Sequence, residues 1–67
     1  MESVVSSNVA RIGYDADSRV LTVEFRNGSR YEYENVPATE YAGFLGAWSK
    51  GRYLHRWIKG RYDYRKL

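Results

Sequence analysis

Hydrophobic and polar positions change their spacing twice along these 67 residues. Between Asn8 and Tyr14, Ala10, Ile12 and Tyr14 alternate with Arg11 and Gly13, a period of two that predicts a strand over about residues 8–14. Asp15-Ala16-Asp17-Ser18 makes a turn. The alternation resumes over residues 19–25, with Leu21, Val23 and Phe25 on one face and Val20, Thr22 and Glu24 on the other. A third strand is expected over about 29–35, and side-chain parity sets its register. A two-residue loop at Asn27-Gly28 would set Phe25 opposite Arg30 and mix the core face with the solvent face. In a three-residue loop, Arg26 and Asn27 form a type I turn and Gly28 sits left-handed in a bulge. Val23 then faces Tyr31, Leu21 faces Tyr33, and Glu24 faces Arg30 on the outer side, so apolar groups share one face and opposite charges the other.

After Pro37 the spacing becomes helical. Tyr41, Phe44, Leu45 and Trp48 stand at i, i+3, i+4 and i+7, which predicts a helix over about 38–48 with Pro37 at its start. Gly43 and Gly46 weaken that helix and are read as letting it approach the sheet. Ser49 is a plausible N-cap for a second helix over about 50–59, whose apolar face holds Tyr53, Leu54, Trp57 and Ile58 and which Gly60 ends. Residues 61–67 alternate Tyr62 and Tyr64 with charge and suit an extended edge. Residues 1–7 are expected to be a loosely held lead-in from which Val4 and Val5 could dock, and 8–67 a single domain. The fold class expected is α+β, a two-layer domain with a three-stranded antiparallel sheet followed by two helices.

Charge is divided unevenly along the chain. Residues 1–47 hold four arginines against seven acids, whereas residues 48–67 hold seven Lys or Arg against one acid, Asp63. In that basic tail Lys50-Gly51-Arg52-Tyr53 recurs nine residues later as Lys59-Gly60-Arg61-Tyr62. A 43% hydrophobic fraction with 16% aromatic residues is that of a folded chain, and a chain this short has room for one core. The absence of cysteine excludes disulfides and thiolate metal sites and fits a reducing cytoplasm. No apolar run reaches the roughly 20 residues of a membrane span, and residues 1–10 lack a signal-peptide pattern.

Cations interleaved with aromatics suit nucleic acid, because lysine and arginine neutralise phosphates while rings stack on unpaired bases. On this reading Lys50, Arg52, Arg56 and Lys59 contact phosphates from the second helix, and Arg61, Arg65 and Lys66 extend the track. Gly51 and Gly60 admit a phosphate to the backbone, and Tyr62 or Tyr64 adds stacking. The same residue types suit a protein hot spot, so a small protein-interaction module, such as a phage accessory protein binding a host protein, is the alternative; capture of a small anionic nucleotide between helix and sheet is a third. Tyr31 and Tyr33 resemble the paired base-stacking aromatics of some RNA-binding sheets, but the preferred register assigns both to the core face. His55 has no acid or nucleophile beside it in sequence, with Asp15, Asp17 or Glu40 as partners only through the fold. Asp15 and Asp17 read as a turn device rather than a cation site. No enzymatic motif, metal site or cofactor is expected.

Several short motifs fall in a shared order: Ser6-Ser7, Ile12-Gly13-Tyr14-Asp15, Leu21-Thr22-Val23-Glu24-Phe25, Tyr31-Glu32-Tyr33, Val36-Pro37, Tyr41, Ser49-Lys50-Gly51-Arg52-Tyr53 and Ile58-Lys59-Gly60-Arg61-Tyr62. Over about residues 6–65 this order resembles the KTSC domain, found at the C-terminus of some lysyl-tRNA synthetases and alone in small bacterial and phage proteins. The family's central tyrosine pair falls on Tyr31 and Tyr33, and its two glycine-tyrosine signatures on Gly51 with Tyr53 and Gly60 with Tyr62. The resemblance implies an α+β fold with no catalytic residues to carry over. The synthetase fusion implies RNA, in preference to duplex DNA, as the ligand and, on the alternative reading as a protein-interaction module, a synthetase as the partner in place of a host protein.

Overall fold

The structure, a computed structural model, describes every residue except Val5 and Ser7, and of Glu2 the backbone alone. Its elements are β1 (Glu2–Ser3), β2 (Val9–Asp15), β3 (Val20–Phe25), β4 (Arg30–Tyr33), α1 (Ala38–Leu45), α2 (Lys50–Tyr53) running on as a π-helical segment (Leu54–Ile58), and β5 (Tyr64–Lys66). The strands form one antiparallel sheet in the order β1-β2-β3-β4-β5. The domain is α+β with two helices, as expected. The sheet is larger than the three strands expected: β5 is a fourth, and the two-residue β1 adds a further edge.

The central hairpin follows the parity argument. Leu21 pairs with Tyr33, Val23 with Tyr31 and Glu24 with Arg30. Its loop is closed by Phe25 N–H donating to the Ser29 carbonyl at 2.8 Å, with Gly28 at φ 92° in the bulge. At the preceding turn Asp15 Oδ1 accepts the backbone N–H groups of Asp17 (3.0 Å) and Ser18 (3.4 Å), which is the turn role read for Asp15. On the outer face Glu24 accepts from both Arg11 and Arg30, and Arg65 Nη2 donates to Glu32 at 2.8 Å. The Arg11 hydrogen bond holds the Glu24 carboxyl below its ordinary range.

Four expectations are corrected. The alternation in β2 is broken by a bulge between Val9 and Arg11, so Val9 joins Ile12 in the core where strict alternation counted Ala10. The first helix stops at Leu45 rather than residue 48, because Gly46 caps it by donating to the Ala42 carbonyl, and Pro37 precedes the first helical turn as an extended N-cap. Trp48 therefore leaves the apolar stripe and is fully exposed, at 102%. The second helix begins under the Ser49 cap as expected but widens after Tyr53; Lys59 N–H reaches back five residues to the Leu54 carbonyl at 2.8 Å. That wider turn keeps Leu54 and Ile58 buried and rotates Trp57 off the core face. Of the lead-in, Glu2–Ser3 pair with Ile12 and Arg11, and Val4 packs on the core; Val5 lies outside the described residues.

The core gathers Leu21, Val23 and Tyr33 from the sheet with Val36, Phe44, Leu54 and Ile58 from the helical layer. Tyr14 stacks on Tyr41 with ring centroids 4.7 Å apart and donates its hydroxyl to the Val36 carbonyl at 2.6 Å, tying the sheet to the helix entry. Asn35, in the left-handed region at φ 57°, turns the chain into that entry. Among the described residues no helix is long and apolar enough to cross a membrane. Tyr33 is 2% exposed, so Tyr33→Ala is expected to destabilise the domain by about 3 kcal/mol in urea denaturation. A loss below about 1 kcal/mol would remove Tyr33 from the core.

Candidate nucleic-acid interface

The repeated Lys-Gly-Arg-Tyr unit is resolved by where its tyrosines point. Tyr53, at the end of α2, and Tyr62, after the π segment, both donate their hydroxyls to the Glu40 carboxylate: Tyr53 to Oε2 by a short contact and Tyr62 to Oε1 at 3.0 Å. Arg61 Nη1 stands 4.0 Å from the same Oε1. Glu40 lies in the first turn of α1, where the exposed N–H groups favour a negative charge. Gly43, one turn further on, clears the way: a Cβ there would lie 2.5 Å from the Tyr53 hydroxyl oxygen. Gly43 thus serves the approach of the two helices rather than of helix to sheet. Tyr62, read from sequence as a stacking residue, is instead half-buried against the core with its hydroxyl engaged.

The seven cations of the tail do not form one track. Lys50, Arg52 and Arg56 line an open cleft of about 940 Å³ together with Trp48, His55 and Asn8. Lys50 Nζ donates to the Ala47 carbonyl at 2.6 Å, and the Arg56 guanidinium lies 5.3 Å from the Trp57 ring centroid. Among the described residues no carboxylate pairs with Lys50, Arg52 or Arg56. Arg61 is drawn to Glu40 and to the Trp57 ring. Arg65, one residue from Lys66 on a strand, projects to the opposite face of the sheet and pairs with Glu32. Lys59, Gly60 and Tyr64 belong to a different depression, beside Phe25 and Tyr31.

The two glycines of the repeat also differ. Gly60, at φ 81°, serves backbone geometry, whereas Gly51 is helical and a Cβ there would meet only Asn8 Nδ2, at an ordinary 3.7 Å. Sequence reasoning missed Trp48, Asn8 and His55 as cleft residues. Gly46 was the available signal for Trp48, since a helix that ends there cannot carry Trp48 on its stripe. His55 is exposed among arginines, and Glu40, one of its possible partners, is taken by the tyrosines.

Residues 5–62 match the KTSC domain family. The chain belongs to the KTSC domain family. A crystal structure of a KTSC domain protein from Yersinia pestis superposes with a TM-score of 0.93 at 42% identity, covering 98% of this chain and 93% of that one. An uncharacterised protein of Stutzerimonas stutzeri is 39% identical over 51 residues, 76% of this chain and 72% of its own. A lysine–tRNA ligase of Trichormus variabilis is 44% identical over 54 residues, which is 81% of this KTSC domain and 10% of the ligase.

Within this KTSC domain the shared carboxylate leaves a titration signature. The Glu40 hydrogen bond, with burial as the second cause, pushes the Tyr53 phenol up to about 12; burial and then Glu40 raise Tyr62. Because the folded value lies above the unfolded value of about 10, this contribution to stability is complete below pH 10 and is lost as pH rises through about 12. Tyrosine ring-carbon NMR on the wild type should show Tyr53 ionising near the top of the alkaline range, and Glu40→Gln should bring it down toward 10. An unshifted Tyr53 in that variant would sever the link to Glu40. Gly43→Ala should displace the Tyr53 hydroxyl and destabilise by about 1–3 kcal/mol by thermal or urea melting, as overpacking does; an unchanged midpoint would mean that the contact is not tight.

Proposed function

We propose that this KTSC domain is a non-enzymatic module that binds nucleic acid in the cleft beside α2, taking RNA with unpaired bases in preference to duplex DNA, in the cytoplasm. The observation that carries this reading is the full exposure of Trp48 at the rim of a cleft whose walls supply Lys50, Arg52 and Arg56 without neutralising carboxylates among the described residues. A free indole face stacks on any base, and cations within reach of the same ligand neutralise its phosphates. The helical backbone at Gly51 carries no side chain and lines the same cleft, so a phosphate meets no Cβ there. Unpaired bases are favoured because a ring held in a duplex cannot present its face to Trp48. The lysine–tRNA ligase relatives, whose name places them with tRNA, support RNA over DNA. Arg61 and Arg65, already engaged by Glu40 and Glu32, contribute less than the cleft cations.

Anisotropy titrations of labelled single-stranded RNA, tRNA and duplex DNA at several salt concentrations test this. Three phosphate contacts predict a slope of about −2 for log affinity against log salt on a single strand. Trp48→Ala should weaken RNA binding by about 1–3 kcal/mol with the melting temperature unchanged, since the side chain packs on nothing. Arg52→Glu with Arg56→Glu should abolish binding in a folded protein. Absence of binding at low salt, or undiminished affinity in that double variant, would overturn the reading and direct the search to a protein partner.

A further inference from the structure

A second depression, of about 490 Å³, opens at the far end of the inner sheet face, where Gly60 turns the chain away from the helical layer. Its volume is that of a small-ligand site. Aromatic rings form its floor. Phe25 meets Tyr31 edge-on at 5.6 Å, and Tyr64 lies 5.7 Å from Tyr31 and 5.9 Å from the buried Tyr33. The helices leave these rings partly uncovered, and Tyr64 is 60% exposed.

Two ammonium groups stand beside the floor. Lys59 Nζ is 6.0 Å from the Phe25 ring centroid and Lys66 Nζ 5.9 Å from that of Tyr31. Neither pairs with a carboxylate among the described residues. The β3–β4 loop also borders the depression, where Asn27 Oδ1 accepts the backbone N–H (3.0 Å) and hydroxyl (2.7 Å) of Ser29. Those two bonds fix the amide and leave its NH2 as a donor at the edge of the slot.

Rings below, cations at the sides and an amide donor at the rim complement a planar, hydrogen-bonding ring that carries a negative charge. We infer that this slot binds one nucleotide unit: the base lies on the Tyr31 and Tyr64 rings, its edge meets the Asn27 amide, and Lys59 and Lys66 neutralise the phosphate. The unit comes either as a free mononucleotide or as the end of a strand. The slot uses none of the residues of the Trp48 cleft, so it stands or falls separately.

The test is a titration of the full chain, with labelled tyrosine and tryptophan rings, against adenosine monophosphate, adenosine, inorganic phosphate and 5′-phosphorylated tetra-adenylate, read by NMR. Adenosine monophosphate should move the Tyr31 and Tyr64 resonances saturably, with a midpoint independent of any shift at Trp48, and adenosine and phosphate should each act far more weakly. Tighter binding of the tetra-adenylate to the same two tyrosines would assign the slot to strand ends, and equal binding to free nucleotides. Lys59→Gln with Lys66→Gln should abolish these shifts while the Tyr14 ring signal and any RNA binding at the Trp48 cleft persist. No saturable tyrosine shift with either phosphorylated probe, shifts reproduced by phosphate alone, or unchanged binding in the double variant would overturn the inference.

Discussion

One carboxylate organises the helical half of this domain. Glu40 is largely withdrawn from water, its side chain 12% exposed, and a charge so placed is tolerable only where donors replace the lost hydration. Tyr53 and Tyr62 supply them, from two stretches that come to α1 from separate directions. Three segments, α1, α2 and the stretch after the π segment, meet at this single acceptor. Gly43 is the steric condition for that meeting and the π-helical widening after Tyr53 its neighbour in sequence. The repeat in the tail is therefore two copies of a donor aimed at one acceptor, with the basic residues of each copy left to face outward.

That division explains how the net charge is deployed. Arginines beside acids, namely Arg11, Arg30, Arg61 and Arg65, are absorbed into ion pairs on the sheet surface or around Glu40. Within residues 48–67, the cations without carboxylate partners among the described residues gather in two places, each beside exposed aromatic surface: Lys50, Arg52 and Arg56 near Trp48, and Lys59 and Lys66 near Phe25, Tyr31 and Tyr64. The even basic stripe suggested by the sequence becomes two separated patches because the chain reverses at Gly60 and the last strand alternates its side chains across the sheet.

What was legible in the sequence followed from local rules. The β3–β4 hairpin could be registered from parity and a glycine, since both act within a dozen residues, and the Ser49 cap is likewise a short-range signal. The features that escaped depend on contacts distant in sequence. The bulge that brings Val9 inward is set by pairing with Phe25 and the early end of α1 by the competition between an apolar stripe and two glycines; the tail was legible as an extended edge, but its pairing with β4, across some thirty intervening residues, was not. Glu40 gave no sign at all, because an acid in a first helical turn is commonplace, and only the fold brings two distant phenols to it.

All but one of the sheet's pairings join strands that are consecutive and separated by short turns or a short lead-in. The exception is β4 with β5, whose pairing encloses both helices: Glu34 N–H donates to the Asp63 carbonyl at 2.8 Å, and Leu67 N–H to that of Arg30 at 2.8 Å at the other end. Closing a loop of that length costs chain entropy before any bond within it forms, whereas the hairpins close cheaply. The strand carrying Tyr64 and Lys66 is thus the clasp of the domain: its pairing with β4 carries the largest loop-closure cost in the sheet.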